Sequence, residues 1–206
     1  MRGAGVAPLP RGAALRATLA DIPPLERDAW VDRALGLGAP LDDDPGLPRG
    51  CVPYLPSPVD ALLRLTEHAP VRASDVFVDV GAGAGRAAAL VHLLTGASVV
   101  GLEVQPQLVT AARALVARLD LPRVSFVEGD APTLTTALAA GSVFFLYCPF
   151  SGERLARLLA TLEPAARARD IRVCCLDLPL PPCDWLEPVP PRWPDLALYR
   201  GARRSP

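Results

Sequence analysis

From residue 75 onward, short apolar runs alternate with segments of helical period. The runs are Asp75–Val80, Ala97–Leu102, Val124–Val127, Ser142–Tyr147 and Ile171–Leu178. Between them lie helical patterns over Arg86–Leu94, Gln107–Leu119, Thr133–Ala140 and Gly152–Leu162. Strands that are apolar throughout, rather than at every second position, are buried on both faces. With helices between them, they predict a parallel sheet covered on each side. Two shorter pieces, near Trp185–Val189 and Leu196–Tyr199, sit in a proline-rich tail and predict an antiparallel hairpin at the sheet edge. That makes seven strands.

Ahead of the sheet the pattern predicts helices over Gly12–Ala20 and Pro24–Leu35, the second with Pro24 in its first turn. Glycines and prolines break the stretch between Gly36 and Pro58, which also carries the acidic triplet Asp42–Asp44; it is expected to be a loop. Ser57 has the chemistry of an N-cap, with Pro58 at the first helical position and Leu62, Leu63 and Leu65 lining a helix to about His68. The first ten residues, rich in Gly and Pro, are expected to be poorly ordered. Arg203 and Arg204 read as a solvated tail. The division expected is a helical and loop extension over residues 1–56, capping an α/β domain over residues 57–206.

Composition narrows the class. The chain has 206 residues, half of them hydrophobic, which suits one α/β domain with a sizeable core. Its 21 basic residues are all arginine and stand against 22 acidic ones, so no basic stripe marks a nucleic-acid partner. The absence of lysine and asparagine, beside the abundance of Ala, Pro, Gly and Leu, reflects a GC-rich genome rather than a function. The five cysteines form no C-x-x-C pair and are expected to be reduced, mostly buried thiols. No His/Cys/acid group has metal spacing, so no metal is expected. No apolar run approaches the ~18 residues of a membrane span, and the N-terminus lacks a secretory h-region. A cytoplasmic protein that needs no membrane is the expectation.

Candidate chemistry collects where strands end. The first run stops at Asp79-Val-Gly81-Ala82-Gly83-Ala84-Gly85, a glycine loop that opens a helix. Glycine suits backbone that must approach a ligand or take positive φ. The nicotinamide fingerprint G-x-G-x-x-G is not met, because Arg86 occupies the third glycine's place. An acid two residues before the first glycine suits a ligand with a positive amine better than a pyrophosphate. Glu103 ends the second strand and could accept both hydroxyls of a ribose, or be a solvated strand-end carboxylate. Asp130 follows the third strand and could accept from an adenine amino group, or simply cap a helix. All three acids fall on one rim of the sheet, the rim where open α/β sheets bind ligands.

VFVDVGAGAGR, VVGLEVQPQLVTAAR and VSFVEGDA resemble the first three motifs of class I S-adenosylmethionine-dependent methyltransferases, over roughly residues 53–150. The resemblance implies the Rossmann-like fold of that class. It implies a cofactor site of Asp79, Gly81, Ala82, Gly83 and Gly85 for the methionine part. Glu103 would hold the ribose, with Val104 packing on the adenine and Asp130 and Ala131 holding it. S-adenosylmethionine would be the methyl donor and S-adenosylhomocysteine the product.

The segment Pro53-Tyr54-Leu55-Pro56, with the loop and GLEVQPQLV, is similar to the small non-SET lysine methyltransferases that act on ATP-synthase and elongation-factor targets. Two positions depart from that pattern: Ala84 replaces the loop acid and Gln105 replaces an asparagine. The fourth strand ends Tyr147-Cys148-Pro149-Phe150, where amino-group methyltransferases of nucleic acids carry Asn/Asp-Pro-Pro-Tyr/Phe; only Pro149 and Phe150 fit. Tyr54 and Tyr147 are therefore the candidate catalytic residues, and Pro149 and Phe150 the candidate acceptor contacts. The function expected is methyl transfer to an amine of a protein, a lysine. A small-molecule N- or O-methyltransferase of secondary metabolism stands as the alternative, and a non-catalytic S-adenosylmethionine-binding protein as the alternative of another class. The partner expected is a protein or small-molecule acceptor, with no nucleic acid and no membrane, and the chain is expected to be a monomer or homodimer.

Overall fold

The computed structural model describes residues 9–39 and 41–202. The expectations for residues 1–8 and for Arg203 and Arg204 fall outside them. Helices α1 (Gly12–Ala20), α2 (Pro24–Leu35) and α3 (Val59–His68) precede the sheet. Then follow β1 (Val76–Val80), α4 (Arg86–Thr95), β2 (Ser98–Glu103), α5 (Pro106–Arg118) and β3 (Val124–Glu128). A 3-10 turn (Ala131–Thr133) leads through α6 (Thr135–Ala140), β4 (Val143–Tyr147) and α7 (Gly152–Ala168) to β5 (Arg172–Leu176). The chain ends with β6 (Leu186–Val189) and β7 (Leu196–Gly201).

The seven strands form one sheet in the order β3-β2-β1-β4-β5-β7-β6. Neighbours from β3 to β5 are parallel, and β7 runs antiparallel to both β5 and β6. The chain winds outward from β1 to β3, then returns to lay β4 against the other side of β1. That reversal opens a crevice at the carboxyl ends of β1 and β4, where α/β sheets take ligands.

Alternate residues of the central strands serve two apolar layers. Phe77 and Phe145 stack on one face, with ring centroids 6.0 Å apart, and pack among α1–α5. Val78, Val80, Phe144 and Leu146 face the layer built by α6 and α7. Helix α4 is buried from Arg86 to Leu94, because the sheet lies on one side and α1–α3 cover the other. The N-terminal helices thus flank the sheet, and the segment over the strand ends is the following loop, residues 41–58.

Two local expectations need correcting. Ser57 is not the cap of α3: the cap position is Pro58, and the first helical N–H, of Val59, donates instead to Asp28 Oδ1 on α2 at 2.8 Å. Helix α7 does not stop at Leu162 but runs through Pro164 to Ala168. Leu162 and Ala166 are buried against the sheet, and that packing outweighs the backbone bond the proline removes. Among the described residues no helix is long and apolar enough to cross a membrane, and no group of three or more His, Cys, Asp or Glu could hold a metal. All five cysteines are free thiols. His92 is buried with Nδ1 2.7 Å from Ala97 O, and His68 lies against the Trp193 ring.

Candidate active site

The crevice at the β1 and β4 ends is lined by nine of the residues singled out above: Tyr54, Gly81, Glu103, Val104, Asp130, Ala131, Tyr147, Pro149 and Phe150. Asp79, Ala82, Gly83 and Gly85 are not among its lining residues. The glycine loop turns sharply after β1, with φ of +79° at Gly81, +53° at Gly83 and +87° at Gly85. Its start is pinned by Gly81 N and Ala82 N, which donate to Leu102 O at 2.8 and 3.0 Å.

Glu103 is the hub of the loop. It is buried, and its carboxylate accepts three backbone N–H groups at 2.8 Å: Gly83 on Oε2, Val104 and Gln105 on Oε1. A carboxylate offers about four acceptor positions, so one on Oε2 remains for a ligand. Burial raises the Glu103 pKa above the ordinary carboxylate value, and the three amides act against that rise.

Asp79 is buried beneath the first turn of α4, where the Ala88 N–H reaches its carboxylate. Its Oδ2 has no hydrogen-bond partner. Burial, and then the nearby Glu103, push its pKa up to about 7. A buried carboxylate with an unused oxygen is a costly feature unless something cationic approaches it.

The loop 41–58 forms a strap over the crevice. Val52 N donates to Pro149 O and Ser151 N to Gly50 O, while Cys51 and Phe150 form an antiparallel bridge. Tyr54, half-buried, lays its ring on Gly83: a Cβ there would stand 2.1 Å from Tyr54 Cε2. The Tyr54 hydroxyl also meets the Ala84 N–H. Tyr147, half-buried at the end of β4, lines the same crevice. Burial raises the pKa of both phenols above the ordinary tyrosine value, so at neutral pH they donate hydrogen bonds and do not act as bases. Phe150 is 4% exposed and packs into the α7 layer while one edge lines the crevice.

Three sets of contacts here had no sequence signal. Asp130 Oδ1 is paired with Arg154 Nη1 of α7 at 2.5 Å, and Arg154 Nε holds Arg49 O of the strap. Gln105, 3% exposed, binds the strap through Asp43 and Asp44. Arg86, also 3% exposed, sits between Asp28 and Asp32 of α2 at 3.0 and 3.1 Å, close enough for ion pairs but without hydrogen-bond alignment. These are contacts across 24 to 105 positions, which local pattern does not encode.

Residues 77–177, from β1 to just past β5, match the family model for a methyltransferase domain. Over that segment, just under half of its length, the chain is similar to methyltransferase domains. Its seven-stranded Rossmann-like sheet agrees with solved structures. An RNA methyltransferase from Salinibacter ruber, in complex with S-adenosyl-L-homocysteine, is 25% identical with a TM-score of 0.56, covering 73% of this chain and 95% of that one. A protein solved for the conversion of a disulfide bond into a thioacetal group during echinomycin biosynthesis shares the fold at 19% identity. Its TM-score is 0.57, and the match covers 86% of this chain and 94% of that one. No curated protein sequence matches the chain. The matched segment holds the glycine loop, Glu103, Asp130 and Tyr147, whereas the strap and Tyr54 precede it.

Proposed function

We propose that the protein transfers a methyl group from S-adenosylmethionine to an amine, the side chain of a lysine in a protein. When bound, the donor supplies an electrophilic methyl on a sulfonium; the chain must hold a nucleophile in line and keep water out. The residues fit the donor. The unpartnered oxygen of Asp79 suits its ammonium, the spare lone pair of Glu103 its ribose, and Asp130 its adenine amine. Tyr54, Tyr147 and Pro149, which line the same crevice, are assigned to the acceptor.

The observation that carries the amine reading is the shortage of a base. Among the described residues lining the crevice, Glu103 is taken up by three amides and Asp130 by Arg154. The phenols of Tyr54 and Tyr147 and the thiols of Cys51 and Cys148 all have pKa values raised first of all by burial. A hydroxyl acceptor needs its proton taken in the reaction. An amine needs only to arrive neutral, and desolvation between aromatic walls favours its neutral form.

The test is to incubate the full chain with methyl-labelled donor and a protein extract, then hydrolyse and identify the labelled amino acid. Methyl-lysine is expected. Label confined to small molecules or to oxygen would overturn the reading, and S-adenosylhomocysteine binding without any turnover would make the protein a non-catalytic binder. With an acceptor in hand, Tyr147→Phe should leave the melting temperature nearly unchanged and lower turnover about tenfold or more. Unaltered turnover would put the acceptor elsewhere.

Asp79 gives a pH signature. Its folded-state pKa, about 7, lies above the value of 3.8 for the free side chain, so the folded protein holds the extra proton between those values. The stability this contributes is complete below about pH 4 and is lost as pH rises through 7. Melting temperature should therefore fall more from pH 5 to 8 in the wild type than in Asp79→Asn. A cationic ligand favours the ionised form, so affinity for S-adenosylhomocysteine should rise from pH 6 to 8, with proton release seen by calorimetry. Equal pH slopes in wild type and Asp79→Asn would remove Asp79 from the ligand site.

A further inference from the structure

One buried side chain in the crevice makes more connections than its place after a strand would require. Gln105 donates its backbone N–H to Glu103 Oε1 at 2.8 Å. Its Oε1 accepts Asp44 N at 2.7 Å and Gln107 Nε2 at 3.0 Å, and its Nε2 donates to Asp43 Oδ1 at 2.8 Å. The amide orientation is fixed by its neighbours: Asp44 N–H can only donate and the Asp43 carboxylate only accept. The same Asp43 Oδ1 takes the Tyr54 N–H at 2.9 Å. A continuous path of four residues thus runs from Glu103 through Gln105 and Asp43 to Tyr54.

We propose that Gln105 and Asp43 are positioning residues that join the ribose end of the crevice to its tyrosine wall. Through them, the strap closes over a bound nucleoside donor and Tyr54 is set in place by the same contacts. The proposal rests on the methyl-donor reading above for the ligand at Glu103.

Three features support it. The remainder of the strap is weakly held on the apolar side, with Leu41, Val52 and Leu55 exposed at 45%, 36% and 54%, so burial does not fix its place there. Its other polar ties cluster at residues 49–52 and at Asp42, and Gln105 is the buried side chain that holds the two successive strap residues Asp43 and Asp44. Finally, Tyr54 reaches both the strap anchor, through its N–H, and the glycine loop, through its ring and hydroxyl. Moving the strap therefore moves the side chain that covers Gly83.

The experiment uses the full chain with S-adenosylhomocysteine as probe and the variants Gln105→Met, Asp43→Ala and their double. Gln105→Met keeps the volume and removes all three side-chain amide contacts; Asp43→Ala removes the shared acceptor. Hydrogen exchange in the ligand-free protein is read at the Asp44 and Tyr54 amides, and ligand dissociation by displacement stopped-flow. Each single variant should speed exchange at Tyr54 at least tenfold while the amides of β1 and β4 keep their protection. Each should also speed ligand dissociation at least tenfold, and the double should be no worse than twofold beyond either single, since both break one path. Asp43→Asn, which keeps an acceptor oxygen, should restore most of the Tyr54 protection. Unchanged exchange at Tyr54, unchanged dissociation, or additive effects would overturn the proposal. Failure of the wild type to bind S-adenosylhomocysteine would instead sink the methyl-donor reading, and the exchange arm would still decide whether the path positions Tyr54.

Discussion

Glu103→Ala is expected to lower affinity for S-adenosylhomocysteine at least a hundredfold and to lower the melting temperature as well. Two losses combine. The three amides of Gly83, Val104 and Gln105 lose their common acceptor, and a buried N–H left without one costs roughly 1–3 kcal/mol. The ligand's hydroxyls lose a charged acceptor, worth about 1.5–3 kcal/mol. A 2′-deoxy analogue of the ligand separates the two. The wild type should prefer the ribose form about tenfold, whereas Glu103→Ala should show less than a twofold preference. If Glu103→Ala discriminates as the wild type does, Glu103 builds the loop but does not touch the ribose. Glu103→Gln should fall between, because one amide oxygen can still serve some of the backbone donors while the NH2 opposes another.

This double duty also shows where sequence reading stops. The apolar runs located all seven strands, and their ends located Asp79, Glu103 and Asp130, because strand and helix periods are local properties. The acids were legible as strand-end carboxylates. What they bond to was not. Glu103 serves Gly83 twenty positions away, and Asp130 meets Arg154, which ordinary helix pattern offers only as a charged surface residue. Ser57 does not cap α3 for the same reason: the acceptor that serves the helix is Asp28, thirty-one positions before Val59 on another helix. Pro164 shows the converse, a strong local breaker overruled by the burial of Leu162 and Ala166. The strap is the hardest case. Its glycines, prolines and acidic triplet mark it as loop, yet its placement depends on single contacts such as Gln105 Nε2 to Asp43 Oδ1, across 62 positions.

Gly83→Val should abolish detectable binding of S-adenosylhomocysteine, a loss of a hundredfold or more, while the protein stays folded at a lower melting temperature. The sequence suggests glycine here because backbone must lie against a ligand; the structure adds a nearer neighbour. Gly83 has φ of +53°, a region that costs a β-branched residue of order 1–3 kcal/mol. A Cβ there would also stand 2.1 and 2.4 Å from Cε2 and Cδ2 of Tyr54, ring atoms that can yield only if the whole side chain leaves. Leaving means breaking the hydroxyl contact with Ala84 and lifting the strap from the loop. The two costs separate in the double variant Gly83→Val/Tyr54→Ala, where the ring is gone and only the backbone strain remains. That double should melt above Gly83→Val alone, an inversion of the usual effect of truncating a half-buried aromatic. Were the double to melt lower than Gly83→Val, the ring would not be pressed on the loop, and the covering of the glycine turn by Tyr54 would have to be abandoned.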